Sequence, residues 1–111
     1  MASDSSHSIE IRTVTVEERL DALRAGALRE ELADVISAGV TRIIVDLSAA
    51  TFVDSAGLAA LAKGMKDCRL AGGDLRIVAS QQADAARVFS LTRFDQVFTM
   101  GDTVEELLAT W

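Results

Sequence analysis

Few side chains in this sequence are able to do covalent or metal chemistry. There is one histidine, His7, and one cysteine, Cys68. A lone cysteine forms no intrachain disulfide, and one His with one Cys does not make a typical zinc site. A Ser-His-Asp triad needs a histidine inside the fold, and His7 sits in a polar opening stretch. Neither phosphate-binding pattern, GxxxxGK[ST] or GxGxxG, occurs. Gly72-Gly73 closes a helical stretch and precedes a strand-like one, the wrong order for cradling phosphate. The carboxylate pairs Glu17-Glu18, Glu30-Glu31 and Glu105-Glu106 are direct neighbours that project apart and read as solvated faces. Cys68 shares an apolar helical stripe with Met65 and reads as a packed thiol. We therefore expect no catalytic residue, no cofactor and no metal.

What remains is a hydroxyl. Asp54 and Ser55 stand before Ala56-Gly57-Leu58, where a helix begins and unpaired backbone N–H groups collect. One reading is structural: either residue caps the helix. No Glu or Gln stands three residues after Ser55, so a capping box is not the reason for the serine. The other reading is a switch. A helix N-terminus tolerates negative charge, so a phosphate on Ser55 would add about 1.5–2 charges without unfolding the helix. Ala56 and Gly57 are small enough to let a partner approach the hydroxyl, and small enough to let the helix pack on a sheet. Spacing alone leaves both readings standing.

The elements that position this turn follow from periodicity. Residues 9–12 alternate apolar and polar as a strand does; the alternation changes phase at Thr13, which suggests a bulge or a strand buried on its second half. Over residues 25–38, Leu28, Leu32, Val35 and Ile36 form a helical stripe, and Gly39 stops it. Residues 42–47 read as a strand buried on both faces, as in parallel sheets. A second helix covers residues 55–70, a strand follows around Leu75–Ala79, and a third helix spans residues 82–91. A short strand at 96–100 and a last helix at 103–109, with Asp102 as its expected N-cap, complete the order β-α-β-α-β-α-β-α. That alternation implies a largely parallel sheet. In such sheets functional residues collect where a strand's carboxyl end meets a helix, which points to the turn after Leu47.

The chain has 111 residues, 11 basic and 17 acidic, giving a net charge of −6. One domain is expected. The acidic balance disfavours duplex nucleic acid and anionic membrane surfaces. No apolar run approaches the ~20 residues of a membrane span, and no basic-then-apolar leader opens the sequence. With its single cysteine, the chain is expected in a reducing cytoplasm. Residues 1–8 read as a disordered polar tail, leaving 9–111 as the domain. Lys63, Lys66 and Arg69 line one exposed region of the second helix, a solubilising face or a match for an acidic partner.

The segments Ile44-Val45-Asp46-Leu47-Ser48, Phe52-Val53-Asp54-Ser55-Ala56-Gly57-Leu58 and Leu70-Ala71-Gly72-Gly73-Asp74-Leu75 resemble a STAS domain of the bacterial anti-sigma factor antagonist type. Val97-Phe98 and Thr103-Val104-Glu105-Glu106-Leu107 are similar to that family's closing segment. The resemblance implies a non-enzymatic single α/β domain, with a mostly parallel mixed sheet of four to five strands and four helices. It implies that Ser55 is phosphorylated, that the unmodified form binds an anti-sigma factor serine kinase and so frees a sigma factor, and that a phosphatase resets phospho-Ser55. Asp21, after Leu20, matches a family partner-contact position. The expected partner surface is then Asp21, Asp54, Ser55, Ala56, Gly57 and Leu58, with Lys63 and Lys66. Two departures stand out: Glu18 occupies a position where the family usually has glycine, and only one opening strand is legible. A non-switching adaptor of a transport or signalling complex, and a small-ligand or nucleotide-binding STAS domain, are the alternatives.

Overall fold

The computed structural model describes residues 10–111, so the expected polar tail at 1–8 lies outside the described residues. The strands are β1 (Ile11–Thr15), β2 (Glu18–Leu20), β3 (Arg42–Asp46), β4 (Ala50–Val53), β5 (Asp74–Val78) and β6 (Thr99–Gly101). The helices are α1 (Ala22–Ser37), α2 (Ser55–Leu70), α3 (Ala83–Leu91) and α4 (Val104–Leu108), with a 3-10 turn at Phe94–Gln96. Among the described residues, one sheet has the order β1-β3-β5-β6 and a second pairs β2 with β4, and each of these pairings is parallel. The architecture is the α/β arrangement expected from the alternating pattern.

Three elements differ from expectation. The strand expected at 96–100 begins only at Thr99, because Phe94–Gln96 closes into the 3-10 turn. The turn after Leu47 is no loop: Ala50–Val53 is a strand, and its partner is Glu18–Leu20. The opening strand that the family tends to place ahead of Ile11 would fall in the polar stretch at 1–8, which lies outside the described residues. The phase change in the first strand is not a bulge either. Ile11 packs with Ile44, Val78 and Leu107 on one face of the sheet, while Val14 joins the main core on the other. Apolar residues on opposite faces of a strand lie an odd number of positions apart, which breaks simple alternation. The irregularity lies later, as a register shift between Glu18 and Arg19.

The main core holds Leu28 and Leu32 of α1, Leu58, Leu61 and Cys68 of α2, Ala85 and Phe89 of α3, and Ile43, Val45, Leu75 and Ile77 of the sheet. Among the described residues, the opposite face is covered by the small cluster around α4. There Arg76 donates to Leu107 O at 2.9 Å and stacks on Trp111, 4.0 Å from the ring centroid. Arg42 lies 5.8 Å from the same ring. The cap of α4 is Thr103 and not Asp102: Thr103 Oγ1 accepts from Glu106 N at 3.1 Å. The Glu106 carboxylate in turn accepts from Asp102 N at 3.0 Å, a reciprocal capping arrangement. Gly72, with φ of +90°, supplies the left-handed turn that ends α2.

Candidate functional site

β2 and β4 run side by side in parallel, with Leu20 opposite Val53. The next residue on each strand is an aspartate, and each caps the helix that follows. Asp21 Oδ1 accepts from Arg24 N at 3.2 Å, and Asp54 Oδ1 accepts from Gly57 N at 3.0 Å. Asp54 N also donates to Leu20 O at 3.3 Å, tying the two turns together. The starts of α1 and α2 are thereby held as neighbours. The Arg24 amide holds the Asp21 carboxyl below its ordinary pKa, and the Arg19 guanidinium 3.5 Å away adds to that.

The sequence left open which residue caps α2, and Asp54 is the one. Ser55 is the first helical residue; it is exposed, and its hydroxyl has no hydrogen-bond partner among the described residues. Gly57 is required for a different reason. A Cβ there would stand 2.7 Å from Leu20 Cγ and 2.8 Å from Leu20 O, so the first turn of α2 rests directly on β2. Ala56 is half-buried against the core, and Leu58 is buried in it. Of the expected partner residues on this turn, only Ser55 is fully exposed.

The platform beneath Ser55 is braced by a residue that sequence reasoning missed. Ser80 is buried; its Oγ donates to Ala50 O at 2.5 Å and accepts from Gln82 N at 3.0 Å. Gln81 N donates to Ser48 O at 3.1 Å, so the loop before α3 is tied to the turn that leads into β4 as well as to its first residue. A serine after a buried strand was the only local signal. Arg19 lies over the Phe52 ring at 4.0 Å, an exposed cross-strand contact on the same small sheet.

Lys63 and Lys66 are set apart from Ser55. They stand about 12 Å and about 16 Å further along the α2 axis. Lys63 is paired with Asp67 at 2.6 Å, and Arg69 with Asp74 at 2.8 Å. Lys66 alone of the three has no ion-pair partner among the described residues, so the expected basic stripe is largely neutralised. Cys68 is fully buried, and burial together with the nearby Asp74 and Asp67 pushes its thiol up to about 11. It is a core thiol, as its place on the stripe implied. No group of His, Cys, Asp or Glu among the described residues is arranged to hold a metal ion, and no described helix is long and apolar enough to cross a membrane.

The family model for the STAS domain matches residues 4–107. This chain belongs to the STAS family. Its fold is shared with an anti-sigma factor antagonist from Mycobacterium paratuberculosis, at a TM-score of 0.80 and 24% identity over 96% of this chain and 88% of that one. It is similar to the Bacillus cell fate determinant SpoIIAA in its phosphorylated form, at a TM-score of 0.69 and 19% identity over 96% and 95% of the two chains. A sulfate transporter family protein from Wolinella succinogenes is similar too, at a TM-score of 0.74 and 18% identity over 90% and 83%. At these identities the likeness is one of fold. Within this STAS domain, the departure at Glu18 has a backbone consequence: Glu18 has φ of +61°, the left-handed region that glycine enters freely.

Proposed function

We propose that this STAS domain is an anti-sigma factor antagonist whose unmodified form binds an anti-sigma factor of the serine-kinase type and so frees a sigma factor. Phosphorylation of Ser55 ends that binding, and a phosphatase resets it. The observation that carries this reading is the division of labour at α2: Asp54 caps the helix, and Ser55 Oγ, at its N-terminus, has no hydrogen-bond partner among the described residues. In the transfer, Ser55 Oγ attacks the γ-phosphorus of ATP, the bond to the ADP oxygen breaks, and the hydroxyl proton passes to a base on the kinase. The helix N-terminal amides favour the added charge, so the domain stays folded. The net charge moves from −6 to about −8 at a spot that a partner must approach closely. Asp21, Asp54, Ser55 and Ala56 form the centre of the partner surface, with Lys66 at its far margin. The chain acts in the cytoplasm as a substrate and a binding module, not as an enzyme.

The test is phosphosite mapping after incubation with ATP and the anti-sigma kinases of the source organism. Modification at Ser55 alone is expected, with Ser55→Ala binding the kinase and resisting modification, and Ser55→Asp binding weakly. Modification elsewhere with Ser55 bare would sink the reading. The similarity to a sulfate transporter family protein favours a second reading, a constitutive adaptor with the same fold. Its signature is binding to a transport or signalling assembly that Ser55→Asp leaves unchanged.

A further inference from the structure

The surface beside Asp21 carries two features with no use inside the described molecule. The first is Leu23, in the opening turn of α1, which is 87% exposed. Ala27, one turn on, and Asp21 line a groove of about 390 Å³ with it. The second is Glu18, on the same groove. Its backbone is fixed at φ +61° by the register shift into β2, with its N–H donating to Ala49 O and its carbonyl accepting from Thr51 Oγ1. A left-handed conformation is unfavourable for a side chain with a Cβ. Yet the Glu18 carboxylate is exposed and has no hydrogen-bond or ion-pair partner among the described residues.

Charge decides what can sit there. The two arginines on the groove are engaged with acids: Arg19 with Asp21 at 3.5 Å, and Arg24 with Glu31 at 3.4 Å. Glu17 and Glu18 have no such partner among the described residues, so the face is acidic around one protruding leucine.

We propose that Leu23 and Glu18 extend the partner surface beyond Asp21, and that the occupant is the anti-sigma factor itself, presenting an apolar socket for Leu23 and a Lys or Arg to Glu17 and Glu18. This rests on the partner reading above and adds the chemistry of the partner's contact face. Glu18 is a specificity residue, kept in a strained backbone position because its carboxylate is used between molecules.

Affinity for the kinase that modifies Ser55, and thermal midpoint, are measured for three variants. Glu18→Gly relieves the backbone, so its midpoint rises by about 2–5 °C, while its affinity falls about tenfold on loss of a rim charge pair and its partner's desolvation. Glu18→Gln keeps the backbone and removes the charge: the midpoint stays and the affinity falls similarly. Leu23→Ser leaves the midpoint unchanged and costs about tenfold or more in affinity, as loss of an anchor does. If all three bind like the wild type while Ser55→Asp does not, the docking surface is wrong and the Ser55 switch stands. If Glu18→Gly lowers the midpoint, the strain argument is wrong. If the unmodified wild-type chain binds no anti-sigma kinase, both readings fall.

Discussion

The starts of α1 and α2 are built to one plan and carry different chemistry. Each follows a short parallel strand, each opens on an aspartate cap, and each cap accepts the amide three residues on. After Asp21 come Ala22, an exposed Leu23 and Arg24; after Asp54 come Ser55, Ala56 and Gly57. The first start offers an apolar side chain and no modifiable hydroxyl. The second offers a hydroxyl and has Gly57 pressed against Leu20, which fixes it to the first. Duplicating a helix start costs little, because the cap and strand pairing repeat. What diverges is the three residues after the cap: an exposed Leu23 at one start, an exposed Ser55 and a buried Gly57 at the other.

The largest way to break the comparison is Gly57→Ala. Its Cβ would press on the Leu20 carbonyl, a backbone atom, so we expect a loss of about 2–3 kcal/mol in denaturant unfolding, from overpacking. Removing the caps comes next. Asp54→Ala should cost about 1 kcal/mol and Asp21→Ala should destabilise in the same direction, and a marked inequality between them would show that the two starts are not equivalent supports.

Acid sharpens the comparison at Asp21. Its folded pKa is depressed, so its contribution is present above the ordinary carboxylate value and is lost as pH falls through the folded value. Asp21→Asn, which keeps a capping oxygen, should therefore show a shallower fall in thermal midpoint below about pH 4. An unchanged acid limb would mean that other carboxylates govern it. The smallest effect is Ser55→Ala: with no partner for the hydroxyl among the described residues, its stability should stay within about 0.5 kcal/mol of the wild type, while the proposed phosphorylation is lost.

These contrasts also explain what the sequence made legible. α2 was readable to its ends because Leu58, Leu61, Met65 and Cys68 recur at helical spacing between Asp54 and Gly72. The short apolar runs around Val45 and Ile77 marked buried strands. β2 and β4 were not readable. Glu18-Arg19-Leu20 has one buried residue, and Ala50–Val53 shows no clean alternation, so their strand character comes from pairing with each other across some thirty residues of chain. The Asp-Ser pair was visible, but which member caps the helix depends on where α2 starts, and a one-residue shift exchanges their roles. Ser80 was invisible because its partner, Ala50 O, is a backbone atom far away in sequence.

Trp111 is the only tryptophan in the chain, and it sits on Arg76 and Arg42, on the sheet face opposite the main core. That makes it a built-in optical probe with a restricted field of view. Its emission will report the seating of the last turn on the sheet and the loss of that seating on unfolding. The start of α2 belongs to the other layer, so a change at Ser55 that leaves the fold intact should pass without a spectral signal. A fluorescence change on modification would therefore be the first sign that the two faces of the sheet communicate.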